Sequence, residues 1–230
     1  MPPDVNTPLA ENCPALSAMT TRIAGLAARI GVACLIAGLG CLRAASAEER
    51  QVRLEFIPIT AAHGYAASVY ESIWNEHGAR IVAALEARTC LPFAEEHVGA
   101  VIADATSNSG GPDHPMRLRA SSPRAIKQST LVHELGHRHL WQLVERLHYL
   151  DGHKTLYLIL DRVWADVWGE EFAAAQIESE STWRAEYDYA SAWRWVQSLA
   201  PVERARLWNR LRWMNGFTGE CKGPLDDEPG

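Results

Sequence analysis

Thr130 to His137, reading TLVHELGH, decides how this chain is interpreted, and it lies inside a segment with helical spacing from Pro123 to about Tyr149. Ser122 is the expected N-cap, and Pro123 suits the first helical position, where its missing N–H costs nothing. Residues four apart share one face of a helix, so the imidazoles of His133 and His137 can reach a single ion. Zinc accepts neutral imidazole nitrogen, and a catalytic zinc keeps one of its four positions for water. Glu134, next to the first histidine, would then face that water as a general base. Gly136 leaves room beside the metal for substrate or for a packed strand.

Moving toward the C-terminus, Asp151-Gly152 breaks the helix, and a second long helix is expected from about His153 to Ile177. If the two helices form an antiparallel hairpin turning near Gly152, positions equidistant from the turn meet, and Glu171 then stands opposite His133. Counted at 100° per residue, both Glu171 and Glu170 flank the apolar stripe of Leu156, Leu160, Val163, Val167 and Ala174. A charged side chain beside a buried stripe needs a partner, and a metal would be one. The mirror position favours Glu171 as third ligand, with Glu170 as the alternative. Asp166 is more peripheral and is a candidate for orienting a liganding histidine through its second nitrogen. Two more helices are expected near 181–199 and 201–215, followed by a loose tail over 219–230. Arg184, Tyr187 and Tyr189 are candidate donors to an oxyanion. His139 and His148 read as solvated helix residues, and Trp193, Trp195, Trp208 and Trp213 as core.

Toward the N-terminus, Gln51 to Thr60 alternates Val52, Leu54 and Phe56 with Arg53 and Glu55, a half-buried strand that Pro58 ends or confines to an edge. Residues 64–88 have helical spacing. Val98 to Ala103 reads as a central strand, Thr106 to Pro115 as a loop, and Met116 to Ala120 as an edge strand. The fold expected is therefore α+β: a small N-terminal sheet packed on a C-terminal helical half, in a single domain over residues 48–218.

TLVHELGH resembles the active-site helix of the zincin metallopeptidases, and WADVWGEEFAAA resembles the glutamate-bearing helix of their gluzincin branch. In that branch the liganding Glu is followed two residues later by a small residue. Glu171 with Ala173 fits, whereas Glu170 is followed by Phe172. The resemblance covers roughly residues 116–180 and implies a minimal zincin-like fold and peptide-bond hydrolysis. The longer metzincin motif is excluded, because Leu140 and Leu143 stand where it needs Gly and His. Asp151-Gly152-His153 is similar to the third-histidine segment of SprT-like metallopeptidases, which makes His153 a rival third ligand. A helix unbroken to Tyr149 would, however, carry the chain about 18 Å from the pair before it turned.

Residues 1–47 read as an export signal. Arg22 and Arg29 precede the uncharged run Ile30 to Leu42, and Ala45-Ser46-Ala47 supplies a cleavage site before Glu48. Thirteen helical residues span about 20 Å, short of the roughly 30 Å hydrocarbon core, so no permanent transmembrane helix is expected after cleavage. Met19 is a candidate initiator, and lipidation at Cys41 is the lesser alternative. The expected location is secreted or periplasmic. Past the signal only Cys90 and Cys221 remain, and they are free to pair in an oxidising compartment. A net charge of -6 argues against a nucleic-acid surface. The reading that results is an exported zinc peptidase acting on a peptide or protein substrate. Its rivals are a zinc-stabilised binding domain without turnover, against which Glu134 speaks, and a hydrolase of a non-protein, cell-wall substrate.

Overall fold

The computed structural model describes residues 52–111, 113–146, 150–183 and 187–223. The signal segment, with Met19 and Cys41, lies outside them, as does Arg184. Three strands form one sheet in the order β1 (Arg53–Pro58), β2 (His97–Ala103), β3 (Met116–Arg119), and both pairings are parallel. A parallel pair needs a crossover, and α1 (Gly64–Thr89) provides the one between β1 and β2. Register aligns apolar residues across the sheet: Leu54 beside Val98, Ala100 between Phe56 and Met116, Ile102 beside Leu118. Val98, Ala100, Ile102, Met116 and Leu118 are fully buried, and Phe56 stacks on Tyr70 of α1 at 5.9 Å. The central and edge assignments of the three strands agree with the sequence pattern.

The helical part comprises α2 (Arg124–Leu140), α3 (Gly152–Tyr157), α4 (Leu160–Trp168), α5 (Glu170–Ser181), α6 (Tyr189–Gln197) and α7 (Pro201–Met214). α2 packs on α1, β3, α3 and α4, so the HELGH helix is central. The fold is α+β. Pro123 is the N-cap of α2 rather than its first residue, one position later than expected. Pro201 opens α7, where Glu203 reaches back to accept the Ala200 N–H at 3.0 Å.

Two expectations about the helices are corrected. The regular helix of α2 ends at Leu140, and residues Trp141–Arg146 tighten into a 3₁₀ turn. The expected helix from His153 to Ile177 is three helices: the chain turns at Leu158 and Ile159, and again at Gly169, whose φ of 91° no L side chain adopts easily. A mirror about Gly152 requires two straight helices, and these breaks remove it.

Cys90 and Cys221 form a disulfide with Cα atoms 5.8 Å apart. Cys90 is the left-handed C-cap of α1, and Cys221 is fully buried. Arg88 donates to the Gly223 carbonyl at 2.7 Å, so residues 219–223 are tied to the core rather than loose. Trp193 and Trp208 are core, whereas Trp213 is 72% exposed. His139 is not solvated: it is buried, stacks on Phe93 and shares a hydrogen bond with Thr89 Oγ1 at 2.8 Å. Among the described residues no helix is long and apolar enough to cross a membrane.

Candidate metal centre

α2 turns His133, His137 and Glu134 into the interior. His133 is 2% exposed, Glu134 8%, and His137 half-buried. The i, i+4 spacing brings the two imidazole rings to 4.9 Å between centroids. The third member of the group is His153, from the first turn of α3, with its ring 5.5 Å from His133 and 4.8 Å from His137. One nitrogen from each of the three lies within 4.8 Å of the others, the sole such group of potential metal ligands among the described residues. Helix packing explains how α3 gets there. Gly136 faces Leu156, whose Cδ1 would stand 2.5 Å from a Cβ at that position, so the absent side chain of Gly136 admits α3 rather than a strand.

The glutamates selected by the hairpin argument are elsewhere. Glu171 is exposed in the first turn of α5, and Glu170 is exposed beside Arg162 at 3.6 Å. Neither joins the histidine group, because the turn at Gly169 re-aims the helix that carries them. Asp166 does not orient a histidine either; both of its oxygens accept from the Arg88 guanidinium, at 2.6 and 2.7 Å.

The residue that does orient a histidine is Glu180, which sequence reasoning missed. It is fully buried at the end of α5, and its Oε1 accepts from His133 Nδ1 at 2.8 Å. Its Oε2 accepts from the Tyr157 hydroxyl at 2.8 Å and the Trp193 indole N–H at 3.1 Å. The carboxylate is thereby satisfied, and His133 is fixed with Nε2 as its free nitrogen, the arrangement liganding histidines generally need. No local pattern marks Glu180 in the sequence, since its three donors come from α2, α3 and α6.

Electrostatics follow burial. Burial pulls His133 down, but the Glu180 charge and hydrogen bond outweigh it and leave this imidazole raised. Burial, helped by the neighbouring His133 and His153, holds His137 well below its ordinary value. Burial and then His133 lower His153 to about 4. Two of the three imidazoles are therefore held neutral, as ligation requires. Burial pushes Glu134 up to about 7; His133 opposes that rise, Glu180 adds to it, and Arg117 of β3 opposes it.

The two described oxyanion candidates differ. The Tyr187 hydroxyl is occupied, donating to Asp151 Oδ1 at 2.6 Å. Tyr189 has its ring 4.9 Å from His153 and 6.4 Å from His133, and its hydroxyl has no hydrogen-bond partner among the described residues. On the Glu134 side of α2, Arg138 pairs with Glu95 and donates through Nη1 to the carbonyls of Ser109, Gly111 and His114. This buried guanidinium ties Ser109, Gly111 and His114 to the helix.

Three imidazoles, one of them oriented by a buried carboxylate, lie close enough together to hold one metal ion. No family model matches this chain, and neither a curated protein nor a solved structure is significantly similar to it.

Proposed function

We propose that the protein is an exported zinc-dependent hydrolase of peptide bonds, with His133, His137 and His153 as the metal ligands and Glu134 as the general base. The observation that carries this reading is the convergence of the three histidines beside a buried glutamate on the same helix. Bound there, zinc would polarise a carbonyl and make water a better nucleophile.

The rest is supplied by the chain's own residues. Glu134 takes the proton of the attacking water and passes it to the leaving amine, a role for which its elevated proton affinity is suited. Glu180 holds His133 in one tautomer and one orientation. Tyr189, with its ring 4.9 Å from His153 and its hydroxyl without a hydrogen-bond partner among the described residues, is the donor to the oxyanion of the tetrahedral intermediate. The Cys90–Cys221 bridge supports the reading of residues 1–47 as an export signal, because such bonds persist in oxidising compartments.

The test is Glu134→Gln. This change keeps the side chain's size and removes the base. Zinc content should stay at one per chain while cleavage of a mixed peptide library, followed by mass spectrometry, falls at least ~10²-fold. Undiminished cleavage by the variant would refute the role of Glu134.

A further inference from the structure

His153 reaches the metal group from α3, a helix of six residues. So short a helix has little stability of its own, and the imidazole needs other support. Asp151 caps α3, its Oδ1 accepting the Lys154 N–H at 2.8 Å. The same oxygen accepts the Tyr187 hydroxyl at 2.6 Å, across 36 residues of chain. The Tyr187 ring lies nearly flat on His153, with centroids 4.1 Å apart and planes inclined by 25°. Tyr187 is itself anchored at the entry to α6. Its carbonyl accepts the Tyr189 N–H, and the adjacent Asp188 caps that helix.

We infer that Tyr187 is a clasp that holds the third metal ligand in place, its ring setting the plane of His153 and its hydroxyl tying Asp151 and the start of α3 to α6. This inference rests on the reading of the three histidines as a metal site. Tyr187 is a positioning residue. Its hydroxyl is committed to Asp151, so it is not available to a substrate, and the shared Asp151 oxygen is already saturated by two donors. The clasp matters because two imidazoles alone hold a divalent ion poorly, so affinity depends on how well the third is aligned beforehand.

The experiment measures zinc affinity of the purified full chain by competition with a chromogenic chelator, alongside thermal unfolding of the metal-free protein. Tyr187→Phe keeps the stacked ring and removes the tie. Asp151→Asn keeps a good cap and weakens the same tie. Tyr187→Phe should weaken zinc binding about 10-fold with metal-free melting unchanged, and Tyr187→Ala should weaken it further. The double variant Tyr187→Phe/Asp151→Asn should be no worse than the poorer single variant, since both changes act on the same bond. Wild-type zinc affinity in Tyr187→Phe and Tyr187→Ala would overturn the clasp while leaving the metal site standing. So would a loss in Tyr187→Phe matched by an equal loss of metal-free stability, which would make the contact merely structural. Failure of the wild-type chain to take up zinc would overturn the metal site itself, and the clasp with it.

Discussion

Glu180 and His133, 47 residues apart in sequence, meet in the interior with a carboxylate oxygen 2.8 Å from the ring Nδ1. The bond sets which ring nitrogen faces the other two histidines, and so links the end of α5 to the HELGH segment of α2. Glu180→Gln presents an amide that can donate as well as accept, so the tautomer is no longer enforced. Zinc affinity should fall 10–100-fold, the usual cost of losing such a partner. Chelator competition measures it, and unchanged affinity would show that Glu180 serves packing alone.

Much of this architecture is legible in the sequence. Alternation in β1, the apolar run of β2 and the i, i+4 histidines on α2 each carry a periodicity that survives folding. The third member of the histidine group is not legible in that way. Choosing Glu171 required residues 153–177 to be one straight helix. The apolar stripe does continue through Leu160, Val163 and Val167, but the turns at Leu158-Ile159 and Gly169 reset its direction. Gly169 within a helical pattern was the available signal of that break. Glu180 left no signal, because its burial is decided by partners far away in sequence.

Tyr189 is the test of transition-state stabilisation. Tyr189→Phe removes a hydroxyl that has no hydrogen-bond partner among the described residues, so stability and zinc content should be unchanged. On any peptide that the wild type cleaves, kcat should fall about 10²-fold with little change in KM. Equal kcat would remove Tyr189 from the mechanism.

The disulfide closes a loop with a sequence separation of 131. On the chain-entropy argument it stabilises by about 4–5 kcal/mol. Cys90→Ser/Cys221→Ser should lose an amount of that order in urea unfolding, and peptide mapping without reductant should recover the linked pair from the purified protein. Both thiols freely alkylated would contradict the pairing.

Burial lowers His139 to about 4, below the roughly 6.5 of an unfolded chain. A depressed histidine contributes stability that is complete above the unfolded value and is lost as pH falls from there toward the folded one. The window is therefore about pH 6.5 to 4, with a full loss of about 3 kcal/mol. Metal-free His139→Gln should show a shallower decline in unfolding free energy between pH 7 and 5 than the metal-free wild type. Parallel curves would mean that His139 is not held neutral.

On the proposed function, one zinc ion is held by His133, His137 and His153. Anomalous diffraction at the zinc absorption edge, from crystals of the metal-loaded protein, tests it most directly. A single strong peak is expected about 2.0–2.1 Å from a nitrogen of each of the three imidazoles, with Glu171 away from it. A peak coordinated by Glu171 or Glu170 in place of His153, or no peak at the histidines after zinc loading, would contradict it.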